Sequence, residues 1–312
     1  MKANNVLLSG LVVSIFSPLV SFAQISELEV SGRFHPSSNY TAPADSVSKA
    51  GKAIQAELNL TTSVNIHTRV NQETGKVHAL GANIQARYTS FSRGGYHRQI
   101  LPADLYCLNL GLYYYSMFSK KWAYNVFLNT AVNSDLKQVD WNDAFVTGGV
   151  VFIRQFSPNF SLGFGAIVHN NLGAFVPWPA LTVDWKMGGK FKLEIRTPDK
   201  APGIAHHVGI SYAASKSLNL SFAFQPEVLS YDITTNHDIR NRLMSFWQLP
   251  FTLSGAFRTG DFEIIPRLGF TALRKYAYGE KKIAEMFTEY PYHGLATNLI
   301  FGIGIKYKPL KR

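Results

Sequence analysis

The sequence predicts an all-β fold, a single transmembrane antiparallel up-and-down β-barrel of about 14 strands, with 12 to 16 strands as the range. Three observations lead to it: long segments alternate apolar and polar residues, short and long connections take turns along the chain, and charged residues are scarce. Of the 312 residues, 46% are hydrophobic and 13% aromatic, but only 16% are charged. A soluble domain averages about 25% charged residues. A surface that faces lipid on one side explains the deficit.

The N-terminus has the features of a cleaved secretory signal peptide over residues 1–23. Lys2 is the only charged residue before the apolar stretch 6–20, and small residues occupy the two positions that a signal peptidase reads before Gln24. Residues 24–312 then form one predicted barrel domain. Past the signal, no apolar run approaches the roughly 20 residues that a spanning helix needs, which excludes a polytopic helical membrane protein. We expect the protein in the bacterial outer membrane.

A first strand is expected at residues 25–35, and the next two alternate strictly over residues 54–67 and 80–89. The even-numbered face holds Ile54, Ala56, Leu58, Leu60, Thr62, Val64 and Ile66, then Leu80, Ala82, Ile84, Ala86 and Tyr88. The odd-numbered face is mostly polar. A helix would scatter these two sets around its circumference, whereas a strand places one on each side. We therefore predict that even-numbered residues face lipid and odd-numbered residues face water.

The same alternation continues to the end of the chain. The apolar faces are Leu108–Tyr114, Trp122–Thr130, Phe160–Val168, Leu181–Met187, Phe191–Ile195, Val208–Tyr212, Leu218–Phe224, Phe251–Phe257, Phe262–Phe270 and Leu295–Tyr307, each read at every second residue. The segment 144–156 is apolar on both faces, so its orientation stays undecided at this stage. No helix is needed to account for the chain.

The connections alternate in length. Tight turns are predicted at 73–75, 119–121, 157–159, 188–189, 215–217 and 259–261, all rich in turn-forming residues. Longer polar connections are predicted at 36–52, 92–103, 133–143, 170–179, 198–205, 232–245 and 275–294. This pattern gives 14 strands, an even number that returns both termini to the same side of the membrane.

A soluble propeller or sandwich is the alternative fold. Its strands average about five or six residues, and nothing makes its connections alternate. In an outer-membrane barrel, short turns lie on the periplasmic side and longer loops on the outside, and closure leaves no unpaired strand edge in the hydrocarbon. The sequence therefore favours the membrane barrel.

The last predicted strand contains Gly302-Ile303-Gly304-Ile305-Lys306-Tyr307. This segment is similar to the C-terminal signal of bacterial outer-membrane β-barrel proteins, in which a glycine is followed by two residues, an apolar residue, any residue and then an aromatic residue. Over its mature length the chain resembles this class, and within it the barrels grouped only as a domain of unknown function. The resemblance implies contact with outer-membrane lipid and lipopolysaccharide, and insertion by the barrel-assembly machinery. It departs from the usual pattern because residues 308–312 follow the aromatic.

Charged residues on the faces opposite the apolar ones are the candidate lumen-lining residues, since charge is costly in hydrocarbon. They are Glu57, Arg87, Asp184, Lys186, Lys192, Glu194, Arg196, Glu227, Arg258, Glu263 and Arg267. A mildly basic lumen predicts a passive channel or transporter for small polar or anionic solutes. The alternative is a lumen closed by salt bridges, because paired charges are the usual way to bury charge.

Other functions stay open. A transporter of hydrophobic compounds predicts an apolar pocket that includes Leu101, Phe175, Trp178 or Phe246. A structural or adhesive barrel needs no pocket. A lipid-modifying hydrolase would draw on His35, His169, His206-His207 or Asn236-His237-Asp238, but none of these forms a defined triad pattern. We therefore expect a protein that is not an enzyme, with no cofactor and no metal.

The remaining charges and the cysteine fit the same interpretation. The basic loop residues Arg93, Arg98, Arg240, Arg242, Lys281 and Lys282 are candidates for contact with anionic glycolipid. A secreted protein has no access to nucleic acid, so none is expected as a partner. Cys107 is the only cysteine, and we expect it to be a small wall residue since it has no disulfide partner within the chain.

Overall fold

The computed structural model describes residues 24–42, 51–94, 100–199, 203–236, 238–282 and 290–309. They form one closed antiparallel barrel, in which β1 pairs with both β2 and the last strand. Three strands are each interrupted once, so the 17 hydrogen-bonded segments make 14 strands, and the predicted fold is confirmed. The predicted signal peptide lies outside the described residues.

The strands follow one another around the barrel. They are β1 (Gln24–Ala42), β2 (Lys52–Val70), β3 (Val77–Gly94), β4 (Asp104–Met117), β5 (Trp122–Ser134), β6 (Ala144–Ser157), β7 (Phe160–His169), β8 (Val176–Met187), β9 (Phe191–Thr197), β10 (Ile204–Ala205 and His207–Ala213), β11 (Leu218–Phe224 and Glu227–Asp232), β12 (Leu243–Thr259), β13 (Phe262–Gly279) and β14 (Tyr292–Leu295 and Asn298–Tyr307). A single 3-10 turn, Trp141–Asp143, precedes β6. No described helix has the length and apolar character to cross a bilayer.

Period-two alternation places side chains as the sequence predicts. On β2, Leu58 is 53% exposed on the outer surface, whereas Glu57 is 5% exposed and points inward. The undecided segment becomes β6, with Phe145 and Val151 buried inside and Phe152 on the outer surface. Because both faces of β6 are apolar, only its register with β5 and β7 fixes this orientation.

The alternation of short and long connections is confirmed, and it gives the barrel two distinct ends. The termini and the short turns share one end, which we call the turn end, and the longer connections share the other, the loop end. Several strands extend further towards the loop end than predicted: β1 continues to Ala42, β13 continues to Gly279, and β8 begins at Val176. On β1 and β13 backbone pairing continues past the predicted apolar face, where the period-two hydrophobic signal fades. On β8 the added residues pair with the apolar face of β7, where Val168 is opposite Pro177.

Candidate functional site

Four charged side chains meet across the middle of the lumen. Arg33 on β1 donates hydrogen bonds to Glu57 on β2 at 2.6 Å and to Glu227 on β11 at 2.8 Å. Arg87 on β3 donates to the second oxygen of Glu227 at 3.2 Å. We call these four residues the polar belt. Two cations and two anions balance, so the belt has no net charge to attract an anion.

A fifth charge extends the belt towards the loop end. Arg274 on β13 is 1% exposed and donates to Ser38 Oγ and Gln55 Oε1, both at 2.6 Å. Gln55 in turn donates to the belt residue Glu57 at 2.5 Å. The side chains of β1, β2, β3, β11 and β13 are thereby joined through the interior of the barrel.

The outer half of β11 turns into the barrel. All six residues of Glu227–Asp232, which we call the inturned segment, are buried. Asn133 on β5 donates to the backbone carbonyl of Ser230 at 2.9 Å, and Asp135 accepts from the backbone and hydroxyl of Thr234. β5 lies six strands away from β11 along the chain, so the inturned segment crosses the lumen near its loop end.

An apolar cluster fills the loop end around the inturned segment. Its members are Tyr40, Ala53, Phe91, Ile100, Leu101, Leu105, Cys107, Leu229, Tyr231, Ile233, Ile239, Met244, Phe246, Tyr276, Tyr278 and Leu295, all buried. Leu101 and Phe246, proposed from the sequence as parts of an apolar pocket, pack in this cluster. Phe175 and Trp178, proposed with them, lie elsewhere and are exposed. Cys107 is a buried wall residue of the cluster, as expected.

Salt bridges hold the loop end as well. Arg242, which follows the inturned segment, donates to Asp140 at 2.7 Å and to Asp232 at 2.8 Å. The Arg242 hydrogen bond holds the pKa of the Asp140 carboxyl below its usual value. Two more of the basic loop residues are engaged locally: Lys282 pairs with Glu280, and the Lys281 ammonium lies 3.8 Å from the Phe145 ring centroid. Arg98 lies outside the described residues.

Along β8, the backbone pairing of the described residues becomes one-sided before Leu181. Backbone pairing between β8 and β9 stops at Leu181 and Thr197, so Val176–Ala180 pair with β7 but with no described residue on the other side. Lys186 N–H donates towards β7, to Asn159. Backbone groups of successive strand residues point to opposite sides, so the odd-numbered residues of β8 direct their N–H and C=O positions towards β9. Pro177 and Pro179 are two of these odd-numbered residues.

Proline explains why the wall can stop here. It has no N–H to donate, so it is confined to strand edges. Pro177 and Pro179 remove two donors on the unpaired side, and Pro198 follows directly where β9 ends. We call this interruption the wall gap. Trp178, between the two prolines, is on the inward face and yet 38% exposed.

A cavity of about 640 Å³ occupies the lumen on the turn-end side of the polar belt. Pro198 and Asp199, which end β9, form part of its lining together with side chains of β1 to β6 and β8. The lining residues are Ser26, Glu27, Ser63, Asn65, Ala79, Asn83, Leu112, Tyr113, Tyr115, Asn125, Phe127, Asn129, Val151, Ile153, Thr182, Pro198, Asp199 and Lys308. We call it the turn-end cavity.

The other candidate lumen residues form local pairs near the turn end. Lys192 contacts Asp184 at 2.8 Å and Glu194 at 3.0 Å, and Arg196 also pairs with Glu194. Arg267 pairs with Glu29 at 2.6 Å, and Lys306 with the same carboxylate at 3.2 Å. Lys186, Arg258 and Glu263 have no described salt bridge, although Arg258 and Glu263 are opposite each other in the β12–β13 ladder.

The residues of these networks that sequence reasoning missed include the charged residues Arg33, Arg274, Glu27, Glu29 and Lys306. Glu29 and Arg33 are odd-numbered residues of β1, so the period-two rule that selected Glu57 would have selected them. Arg274 lies beyond the predicted end of its apolar face, where no alternation marks the strand.

The histidines considered for hydrolysis do not meet. His35 and His169 are fully buried, and neither ring hydrogen-bonds to a described residue. His206 contacts Thr197, and His207 contacts Gln225. His237 is outside the described residues. Within the described ranges, no three His, Cys, Asp or Glu side chains are arranged to hold a metal ion.

Comparisons with known proteins give a family and a shared fold. A family model described as a domain of unknown function (DUF6268) matches residues 19–308. A solved structure described as the TodX monoaromatic hydrocarbon channel deltaS2 mutant superposes with a TM-score of 0.52 at 10% identity, covering 93% of this chain and 90% of that one. This likeness shows a shared barrel fold.

Two further structures are more distant. The toluene transporter TodX of P. putida has a TM-score of 0.48 at 8% identity, covering 92% of this chain and 90% of its own. The COG4313 outer membrane channel from Pseudomonas putida F1 has a TM-score of 0.42 at 9% identity, covering 90% and 94%. No curated protein matches the sequence.

Proposed function

The chain belongs to the DUF6268 family, a domain of unknown function. We propose that it is an outer-membrane channel whose solutes cross the side of the barrel at the wall gap. The observation that carries the proposal is the stretch 176–180 of β8, which pairs with no described residue on its β9 side. The solutes proposed are small, uncharged and soluble in lipid.

The closed loop end argues against an axial route. A solute moving along the barrel axis would have to displace the inturned segment and separate Glu227 from Arg33 and Arg87. Separating a buried ion pair, so that one charge is left without its partner, costs about 3–5 kcal/mol of stability. The apolar cluster would have to open in addition. A small solute does not supply this free energy on each passage.

The wall gap needs no such rearrangement. An unpaired backbone donor in hydrocarbon costs several kcal/mol, which is why membrane barrels normally close completely. Pro177 and Pro179 have no donor to leave unpaired, so this stretch tolerates an interruption that other sequences would not. A solute dissolved in the outer part of the bilayer would meet the gap from the lipid side.

Charge pairing supports an uncharged solute over the anionic solutes that the composition suggested. The four residues of the polar belt balance in charge, and the cations Lys192, Arg196 and Arg267 each have a carboxylate partner. The further cation Arg274 is 1% exposed and donates to Ser38 and Gln55. The structure described above as the TodX monoaromatic hydrocarbon channel shares the fold, which supports a channel without identifying the solute.

A bulky group at residue 178 tests the route. Trp178→Cys would be labelled in detergent with a biotin maleimide, in a Cys107→Ser background, and reconstituted into vesicles with lipopolysaccharide in the outer leaflet. We expect the label to reduce uptake of a small lipid-soluble probe such as phenol by at least tenfold. Trp185→Cys is the matched control, since Trp185 lies on the same strand but on the outer face of the paired wall.

Two outcomes would overturn the proposal. One is uptake that the label at residue 178 leaves unchanged. The other is an anion-selective ionic conductance that Arg196→Glu and Arg267→Glu reverse, because that result would assign the channel to anionic solutes. A barrel with neither uptake nor conductance would be structural or adhesive.

A further inference from the structure

We propose that the turn-end cavity is a binding site for one small, uncharged ring compound that carries a hydroxyl group, the chemical class of which phenol is the simplest member. This inference deepens the proposed function. That the bound compound is also the transported solute rests on the proposed function. The binding itself follows from the lining of the cavity.

The size and position of the cavity suit such a ligand. Its volume of about 640 Å³ lies in the range of roughly 300–1,000 Å³ found for small-molecule sites. Pro198 and Asp199 lie at the boundary between this cavity and a smaller space lined by Asn171 and Gly203. The cavity therefore adjoins the end of β9, where the wall gap begins.

One wall offers neutral hydrogen-bonding groups. Asn83 and Asn129 lie on either side of Gly111 in the β3–β4–β5 ladder. Their amides fold over the glycine so closely that a Cβ at residue 111 would be 1.7 Å from Asn83 Oδ1 and 2.1 Å from Asn129 Oδ1. The Oδ1 atoms of Asn83 and Asn125 accept no hydrogen bond from a described residue. Asn83, Asn125 and Asn129 all line the cavity, and a ligand hydroxyl can exchange hydrogen bonds with amide side chains.

The adjoining wall is flat and apolar. The Tyr113 ring lies over Gly81, where a Cβ would be 2.3 Å from the ring carbon Cζ. Beside it, Phe127, Val151 and Ile153 complete an apolar surface. A ring face that lies along the wall can stack against another planar ring, worth about 0.5–1.5 kcal/mol beyond the area it buries.

Charge in the lining is confined to its edges. Glu27 and Lys308 lie near the chain termini, and Glu27 is 3.4 Å from Lys306. Asp199 is the remaining charged lining residue. The amide and aromatic walls contain no cation. An anionic ligand would therefore lose its hydration without gaining a charged partner, and burying an unpaired ion is costly. An uncharged ring with a hydroxyl edge matches both walls.

Equilibrium dialysis of the full chain in detergent, with radiolabelled phenol as the probe, tests the site. We expect one saturable site per chain, with benzoate competing at least tenfold less well than phenol. Asn129→Leu removes a neutral amide at similar volume, and Tyr113→Leu removes the ring face. Each should weaken phenol binding by about tenfold, while Asn142→Leu on the loop-end 3-10 turn should leave it unchanged.

Absence of saturable phenol binding to folded protein would overturn the inference, as would binding that neither Asn129→Leu nor Tyr113→Leu weakens. Folding is checked by the heat-modifiable migration of the barrel on electrophoresis. If binding is lost in the variants as expected but a label at residue 178 does not block uptake, the binding site stands and the lateral route fails. If the label at residue 178 blocks uptake but phenol shows no saturable binding, the lateral route stands and the binding site fails.

Discussion

Arg33 and Glu227 are 194 residues apart in the chain and are joined at 2.8 Å through the interior of the barrel. The same Arg33 guanidinium also holds Glu57 on the neighbouring strand. The contact fixes one end of the inturned segment, while Asn133 holds its middle. A barrel that would otherwise have an open loop end is closed by a piece of its own wall.

Removing Glu227 should loosen this closure. Glu227→Ala leaves Arg33 and Arg87 buried without their shared partner, which costs about 3–5 kcal/mol. We expect single-channel recordings in planar bilayers to show ionic openings at least several times more often than in the unsubstituted protein. Glu73→Ala, on the exposed β2–β3 turn, is the control and should behave as the parent. Folded Glu227→Ala protein that stays as closed as the parent would show that the inturned segment is held without this pair.

Gly165 on β7 is packed so closely against β6 that it should not tolerate a side chain. A Cβ there would be 1.9 Å from the backbone oxygen of Val150, so Gly165→Ala must distort the β6–β7 ladder. We expect it to destabilise the barrel by about 1–3 kcal/mol in urea unfolding. Gly32→Ala on β1, whose Cβ would lie 3.8 Å from its nearest neighbour, is the matched control. Equal midpoints for the two variants would contradict the register described for β6 and β7.

The loop end should respond to pH through Lys281. Burial lowers the pKa of this ammonium from 10.5 to about 8. Between about pH 8 and 10 the unfolded chain keeps a proton that the folded chain has lost, so the free energy of unfolding rises with pH in this window. Lys281→Met has no such group. We expect the stability of the parent relative to Lys281→Met to improve by up to about 3 kcal/mol from pH 7 to 10, measured by urea unfolding. A difference that stays constant with pH would contradict the burial of Lys281.

Much of the fold could be predicted because the barrel wall repeats one rule. Period-two alternation identifies which side of β2 faces outward, and alternating connection lengths give the number of strands. The rule selects Glu57 and Arg87 for the interior, as it also would have selected Arg33. It cannot show that these side chains meet, because contacts across a lumen depend on barrel circumference and strand tilt rather than on local pattern.

The wall gap was harder to foresee. The sequence predicts that Pro177 and Pro179 belong to the long polar connection 170–179. In the structure both lie in β8. The backbone nitrogen of each faces the β9 side, where no described residue pairs with it and where proline has no N–H to leave unpaired. The inward turn of β11 at Pro226 is similar: Glu227–Asp232 is short, mixed in polarity and buried on both faces, so it lacks any alternation that sequence reasoning could detect.

If the wall gap is open, lipid reaches the inward face of β8 through it. Spin-label accessibility at residue 178 tests this most directly. A nitroxide on Trp178→Cys would be compared in lipid bilayers with one on Asn129→Cys, which faces inward behind a fully paired wall. We predict that membrane-dissolved oxygen relaxes the label at 178 at least several times more effectively than the label at 129. Equal shielding of both labels from the lipid phase would contradict the claim, because the wall beside β8 would then be closed.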